Sequence, residues 1–214
     1  MENYKEKVAI FIDGSNLYHS LKKINEKINF EKLIGNLVGN RQLVRVFYYT
    51  TNLNLKEDEK RYWEHQRFLE ELRKIPNFKV VLCNLKKIKL NEKDYKYIIK
   101  GDDAKLIHDF IVGAYENYYD VAIIVSGDED FEPMIKTAQK KGKRVGNAYL
   151  RSSSSNLLRN SCDFSICMDK NIEKFRLNKN KKDLALPEDH TRSVINNRNA
   201  EDYLNLTKEG QEKI

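Results

Sequence analysis

Short, uninterrupted apolar runs recur along the chain, and turn-forming residues follow each of them. The first run, KVAIFI at 7–12, leads directly into Asp13, Gly14, Ser15 and Asn16. Runs of this length are typical of strands that are buried on both faces of a parallel sheet. The same pattern predicts further strands at 43–50, 78–84, 120–125, 144–150 and 164–168.

Segments between these runs carry apolar residues at helical spacing. They predict a helix that begins near Leu17, further helices at 56–75, 102–115 and 131–141, and a short helix after the serines at 152–155. Ser15 or Asn16 is expected to cap the first helix, and the serines to cap the last. Residues 85–100 instead alternate around a polar turn at 91–94, which predicts a β-hairpin or another ordered excursion.

The alternation of strands and helices predicts an α/β domain with a mostly parallel central sheet. In such sheets, sites form beyond the carboxyl ends of the strands, where the strand order reverses. Asp13 and Asp128 each follow a predicted buried strand closely. We therefore expect both side chains at one functional edge of the sheet.

Composition adds a partner class to this picture. The chain has 214 residues, of which 40% are hydrophobic and 33% charged, and this is typical of a folded globular protein. Its net charge of +7 favours a polyanion such as nucleic acid or an anionic membrane surface, although a source rich in Lys and Asn would give the same excess. No apolar run is long enough to span a membrane, and no membrane association is predicted.

Two further observations concern location and domain limits. The start of the chain lacks a secretory pattern, and the three cysteines (Cys83, Cys162 and Cys167) lack a pairing pattern, so we expect a cytoplasmic protein. Between 170 and 182, six Lys and Arg residues accompany one glutamate. We predict a folded domain at 1–169 and a basic linker with a weakly ordered tail at 170–214, which is a candidate for binding a protein partner or a second copy of the chain.

Aspartates gather at the predicted functional edge. The segments that carry them are Asp13 with Asn16, Asp102 with Asp103, Asp109, and Asp128 with Asp130. Two carboxylates about 5 Å apart repel each other by roughly 3 kcal/mol at an effective dielectric of about 20. A hard divalent cation offsets this repulsion and prefers oxygen ligands, so the pattern predicts a Mg²⁺-type site for phosphodiester hydrolysis. Any one of these aspartates alone is better explained as a turn or cap residue, and it is their joint placement at one sheet edge that favours a site.

Three motifs together resemble the NYN domain. They are FIDGSN at 11–16, KGDD at 100–103 with Asp109, and SGDEDF at 126–131. The resemblance covers about residues 7–169. Within the PIN-like nuclease superfamily, the motifs most resemble those of the LabA-like (DUF88-type) group. One departure is Asp102, where the family usually has an apolar residue, which leaves open whether Asp102 adds a ligand or only charge.

This resemblance implies a PIN-like three-layer α/β/α sandwich and Mg²⁺- or Mn²⁺-dependent ribonuclease chemistry. Asp13, Asp103 and Asp128 are implied to be metal ligands. Asp130 and Asp109 are implied to be further ligands or supporting groups. Asn16 is implied to be a polar residue that orients the site.

Basic residues supply candidate contacts with the substrate. The predicted hairpin carries six lysines with two tyrosines interleaved, a combination that holds phosphates and stacks on unpaired bases, although a solvated charged hairpin has the same pattern. The residues expected to bind substrate are Lys87, Lys89, Lys100, Ser126 and Arg151. The serines beside Arg151 are expected to help it bind a phosphate.

The function expected from the sequence is thus an endonuclease acting on single-stranded RNA, with RNA favoured over DNA. The alternative is a catalytically weak RNA-binding or regulatory module of the same fold. A phosphohydrolase of the haloacid-dehalogenase type fits less well, because that chemistry needs a second aspartate where this chain has Ser15.

Overall fold

The structure, a computed structural model, describes residues 4–51, 53, 55, 58–89 and 95–177, without the side chains of 84–89 and 95–100. Its strands are β1 (Lys7–Asp13), β2 (Gln42–Thr51), β3 (Phe78–Lys89), β4 (Tyr95–Lys100), β5 (Val121–Val125), β6 (Arg144–Tyr149) and β7 (Phe164–Cys167). Its helices are α1 (Gly14–Lys23), α2 (Phe30–Val38), α3 (Glu59–Lys74), α4 (Asp102–Tyr115), α5 (Glu132–Lys140), α6 (Asn156–Ser161) and α7 (Ile172–Phe175).

All described strands belong to one sheet with the order β4-β3-β2-β1-β5-β6-β7. Six strands are parallel, and β4 runs antiparallel to β3. The chain adds β2 and β3 on one side of β1 and then β5 to β7 on the other. The strand order therefore reverses between β1 and β5, and this is the point where a site is expected in an open α/β sheet.

Side-chain alternation along the central strands builds a core on each face of the sheet. In β1, Val8, Ile10 and Ile12 face α1, α2, α3 and α7, whereas Ala9 and Phe11 face α4, α5 and α6. Because both faces are covered, every residue from Val8 to Ile12 is fully buried. The fold is thus the predicted α/β/α sandwich, and its core holds β1 and β5 rigidly at the centre.

Most predicted elements agree with the structure to within a few residues. The hairpin predicted at 85–100 is an antiparallel pair of β3 and β4, with Asn84 opposite Lys100; its turn lies outside the described residues. The helix α2 was not predicted. The predicted caps of the first helix were wrong, because the Asp13 side chain caps α1, whereas Ser155 caps α6 as expected.

The residues just beyond the predicted domain limit pack onto the domain. Phe175 in α7 is fully buried, and the neighbouring Arg176 donates from Nε to Glu26 Oε2 over 2.8 Å. Residues up to 177 are therefore part of the packed structure, past the predicted limit at 169. Residues 178–214, most of the predicted tail, lie outside the described residues.

Within the described part of the chain, no helix is long and apolar enough to cross a membrane.

Candidate active site

Asp13 lies at the carboxyl end of β1, beside the point where the strand order reverses. Its side chain is only 8% exposed, and its Oδ1 accepts a hydrogen bond of 3.0 Å from the backbone N–H of Asn16 at the start of α1. The next residue must be small, because a Cβ atom on Gly14 would lie 2.5 Å from the Tyr49 carbonyl oxygen of β2. The sequence Asp-Gly thus lets the chain turn sharply into α1 while it keeps the carboxylate at the sheet edge.

Hydrogen bonds connect this turn to the loop that follows β5. The buried Ser126 hydroxyl donates to Asp13 Oδ2 over 3.1 Å and accepts from the backbone N–H of Asp128 over 3.1 Å. The Asn16 side-chain oxygen accepts from the backbone N–H of Gly127 over 3.1 Å. Asp13 and Asp128 are therefore held in fixed relation by polar side chains of the two loops.

The second strand-end aspartate, Asp128, is half-buried and caps a short 3₁₀ turn at 129–131. Its Oδ1 accepts from the backbone N–H of Asp130 over 3.0 Å, and the Asp130 side chain is exposed. Asp128 is thus a cap residue, which is one of the two explanations that the sequence allowed for an aspartate considered alone. The hydrogen bond also fixes the orientation of the Asp128 carboxylate beside Ser126.

Helix α4 brings Asp102 and Asp103 to the same edge, directly after Gly101. Gly101 has a φ of 87°, a left-handed conformation that glycine adopts readily. Although Asp103 is exposed, the protein around it removes part of its hydration, and this raises its pKa to about 6 with further contributions from the charges of Asp102, Asp128 and Asp130. These four carboxylates are therefore within electrostatic reach of one another.

The electrostatic state of Asp13 reflects its burial. Its pKa is raised to about 6, chiefly by loss of hydration and also by the charges of Asp103 and Asp102, against the lowering effect of the hydrogen bonds from Asn16 and Ser126. A cation bound at this edge would have the opposite effect and favour the ionised carboxylates.

Asp109, nearly two turns along α4, faces the sheet. Its Oδ2 accepts a hydrogen bond of 3.0 Å from the hydroxyl of Tyr49, a residue of β2 that is 2% exposed. Its Oδ1 lies 3.3 Å from Nδ1 of His108. Asp109 thus ties α4 to β2 in this structure; its predicted role as a metal ligand stays a prediction.

The donor set at this edge suits a hard divalent cation. Asp13, Asp103, Asp128 and Asp130 offer carboxylate oxygens, the ligands that Mg²⁺ and Mn²⁺ prefer, and their mutual repulsion is the charge excess that a cation offsets. Among the described residues, no three His, Cys, Asp or Glu side chains are arranged to hold one ion. An ion here would therefore need water ligands as well, which Mg²⁺ usually keeps.

The predicted substrate-binding residues lie in different parts of the domain. Ser126 is 3% exposed, and its hydroxyl connects two of the predicted ligands. Arg151 is exposed just after β6, and its backbone N–H donates to Asp169. The backbones of Lys87, Lys89 and Lys100 lie in β3 and β4, but their side chains lie outside the described part.

Three residues that support the site were not predicted. They are Tyr49, which holds Asp109; Gly127, where a Cβ atom would collide with the Ser153 carbonyl oxygen; and Arg159, which contacts the Tyr149 ring beside the site. The glycine lies within a predicted motif, so its position was a usable signal. Tyr49 contacts Asp109 across 60 residues of sequence, and Arg159 of α6 contacts Tyr149 of β6; no periodic pattern indicates either contact.

The fold and the site define the general class of the protein. It is an open α/β sandwich with an acidic site at the carboxyl ends of its strands, where the strand order reverses. Residues 7–169 match the family model of the NYN domain, a range that includes all the aspartates discussed above. The chain therefore belongs to the NYN domain family. NYN domains have a PIN-like fold and are generally nucleases, and PIN-like nucleases usually use divalent metals.

Solved structures agree with this fold. A protein of unknown function from Vibrio parahaemolyticus is 23% identical and has a TM-score of 0.64, over 83% of this chain and 99% of that one; at this identity the likeness concerns the fold alone. A putative oxidoreductase from Parabacteroides merdae has a TM-score of 0.32 at 12% identity, over 78% of this chain and 33% of that one, which is too low to support an argument. No curated protein sequence matches the chain significantly.

Proposed function

We propose that this protein is a Mg²⁺- or Mn²⁺-dependent endoribonuclease that cleaves single-stranded RNA, and that it belongs to the LabA-like (DUF88-type) group of NYN domains. One observation carries the proposal. Asp13 is buried at the strand-order reversal and is joined through Ser126 to Asp128. It also lies close enough to Asp103 for the charge of Asp103 to raise its pKa.

In this proposal Asp13, Asp103 and Asp128 would hold the ion in part through water ligands, and Asp130 completes the acidic edge. A bound divalent cation supplies charge neutralisation at the phosphodiester and lowers the pKa of an attacking water. The protein supplies the orientation. Ser126 fixes the Asp13 carboxylate and the backbone of Asp128, the Asp130 N–H fixes the Asp128 carboxylate, and Asn16 fixes the loop at Gly127. Asp109 supports α4, and through that helix it supports Asp103.

The substrate class rests on charge and on the family. A net charge of +7 favours a polyanion, and NYN domains are generally nucleases. The three cysteines are free thiols in the structure, which supports a reducing, cytoplasmic setting for an RNA substrate.

The test is cleavage of an unstructured, end-labelled RNA by the purified protein with Mg²⁺ or Mn²⁺. Asp13→Asn and Asp128→Asn keep the side-chain shape and remove the charge, so each should lower kcat by about 100-fold or more. The matched control is Glu116→Gln, because Glu116 is an exposed carboxylate at the far end of α4, the helix that carries Asp103. This control should cleave at the wild-type rate.

Activity that both aspartate variants retain would show a contaminating nuclease and would overturn the assignment. RNA binding that survives both substitutions without any cleavage would favour the regulatory RNA-binding module instead. A DNA strand of the same sequence tests the preference for RNA.

A further inference from the structure

A short serine-rich segment covers one side of the acidic site. We call residues 151–155, between β6 and α6, the serine loop. The Ser152 hydroxyl donates to the Ser20 carbonyl oxygen over 3.2 Å, and the Ser153 hydroxyl hydrogen-bonds to Ser20 Oγ and, over 3.4 Å, to Asn16 Oδ1. The loop also lies so close to Gly127 that no Cβ atom fits between them. It is therefore fixed against α1 and the loop after β5.

These contacts engage three of the serine hydroxyls inside the protein. In addition to Ser152 and Ser153, the Ser155 hydroxyl donates to Glu129 over 3.0 Å and accepts from two backbone N–H groups of α6. These hydroxyls are therefore less available to a phosphate than the sequence suggested. The cations around the loop are the better candidates for binding it.

Three cations surround the serine loop, and we call Lys23, Arg151 and Arg159 the basic rim. Lys23 donates from Nζ to the Ser152 carbonyl oxygen over 3.3 Å, and Arg151 is exposed at the start of the loop. The Arg159 guanidinium lies 4.7 Å from the centre of the Tyr149 ring. Within the described residues, none of the three forms an ion pair with a carboxylate, whereas Arg73, Arg144 and Arg176 do.

The Arg159 side chain is held in place before any ligand binds. Two of its N–H groups donate to the side-chain oxygens of Ser154 and Asn156, and the Tyr149 ring lies under it. Arginine has five N–H donors in a planar fork, so donors remain for a phosphate oxygen. A fixed guanidinium loses less conformational entropy on binding than a free one.

Tyr149 places the basic rim next to the acidic site. Tyr149 lines the same small cleft as Asn16, Ser20 and Ser126. Arg159 and Arg151 are both close enough to counteract the rise in the Tyr149 pKa that loss of hydration and Cys167 cause. Positive groups without acidic partners thus lie around the serine loop, which packs against Gly127, the residue next to Asp128.

We propose that the basic rim binds the phosphate backbone of single-stranded nucleic acid and holds the strand beside the acidic site. This inference rests on the proposed nuclease function for its biological meaning. The acidic edge alone repels a phosphate chain, so the strand needs positive contacts close by. The recognised group is the phosphodiester, which RNA and DNA share.

The experiment measures binding without cleavage. Fluorescence anisotropy of a labelled, unstructured 12-nucleotide RNA is followed in EDTA over a range of KCl concentrations, with a DNA strand of the same sequence in parallel. Each phosphate contact contributes about 0.7 to the slope of log K against log salt for single strands. Arg151→Gln with Arg159→Gln should therefore reduce the slope by about 1.4 and weaken binding about 25-fold at 0.1 M salt.

Two controls keep the result interpretable. Arg73→Gln removes an exposed arginine from the last turn of α3, away from the rim, and should leave the slope unchanged. Arg159→Lys keeps the charge and should keep most of the slope. Arg151→Gln alone should reduce the slope by about 0.7 and does not disturb the Arg159 contacts, so it remains informative if the double variant folds poorly.

A wild-type slope in the double variant, or an equal reduction in Arg73→Gln, would overturn the inference. A reduction seen with RNA and not with DNA would also overturn it, because phosphate would not be the recognised group. Binding that depends on the rim without any cleavage by the wild type would refute the proposed function alone. Cleavage by the wild type with no change of slope in the double variant would refute the rim alone.

Discussion

Asp13 combines three structural roles in one side chain. It ends β1, caps α1 through the N–H of Asn16, and presents a carboxylate to the acidic edge. Its burial has a cost, because a buried carboxylate favours the protonated form. Functional residues often reduce stability in this way, and the protein retains them for their chemistry.

The raised pKa of Asp13 predicts how stability depends on pH. The native state holds a proton on Asp13 up to about pH 6, whereas the unfolded chain releases it near 3.8. The contribution of Asp13 to the unfolding free energy of the metal-free protein therefore falls as pH rises through this window and is constant above it. A shift of about 2 pKa units corresponds to about 3 kcal/mol at most.

Asp13→Asn removes this charge and keeps an acceptor for the Asn16 N–H. We expect the variant to exceed wild type in unfolding free energy by about 1–3 kcal/mol at pH 7.5, and by much less at pH 4.5. Urea unfolding in EDTA at both pH values measures the difference, with Glu116→Gln as the reference for an exposed carboxylate. A variant less stable than wild type at pH 7.5 would contradict the account of Asp13.

At the scale of elements, uninterrupted apolar runs and alternating patterns were the ones that could be predicted. The buried run at 7–12 and the alternating segments at 85–100 specify their strands without any knowledge of the partner strand. The acidic edge followed because parallel strands place their carboxyl ends together. The site residues could thus be grouped from sequence, although their hydrogen bonds could not.

The two helices that were not predicted differ in the signal that they carry. In α2 the apolar positions Phe30, Leu33, Ile34 and Leu37 follow helical spacing and pack into the core, and Asn29 caps the helix, so the sequence held a usable signal despite the low helix propensity of Gly35 and Asn36. Helix α7 is four residues long within a basic stretch, and burial of Phe175 holds it. For α7, packing outweighs a weak local signal.

The contact between Tyr49 and Asp109 joins α4 to β2 and predicts a coupling between elements. Tyr49→Phe removes the donor and leaves a partly buried carboxylate without it, so the unfolding free energy should fall by about 1–3 kcal/mol. Tyr115→Phe, at an exposed position of the same helix, should leave stability unchanged. Equal stability of Tyr49→Phe and wild type in urea unfolding would show that Asp109 does not depend on this contact.

At the scale of the whole molecule, the site lies where the two halves of the sheet meet at β1 and β5. The cores on both faces fix those two strands, so the aspartates at their ends have a rigid support. The basic rim lies beside the acidic edge, because the serine loop packs against Gly127 and Asn16. A nuclease needs both, because the ion and the phosphate chain carry opposite charge.

The most direct test of the central claim is whether the acidic edge binds a divalent cation. A ligand at ten times its Kd stabilises the folded state by about 1.4 kcal/mol, which for a domain of this size raises Tm by about 3–6 °C. Thermal unfolding at pH 7.5, in EDTA and then with increasing Mg²⁺ or Mn²⁺, should show this rise for wild type and Glu116→Gln. The rise in Tm should be absent in Asp13→Asn and Asp103→Asn. The account would be contradicted if the Tm of wild type did not rise at 10 mM of either metal, or if both aspartate variants showed the full rise.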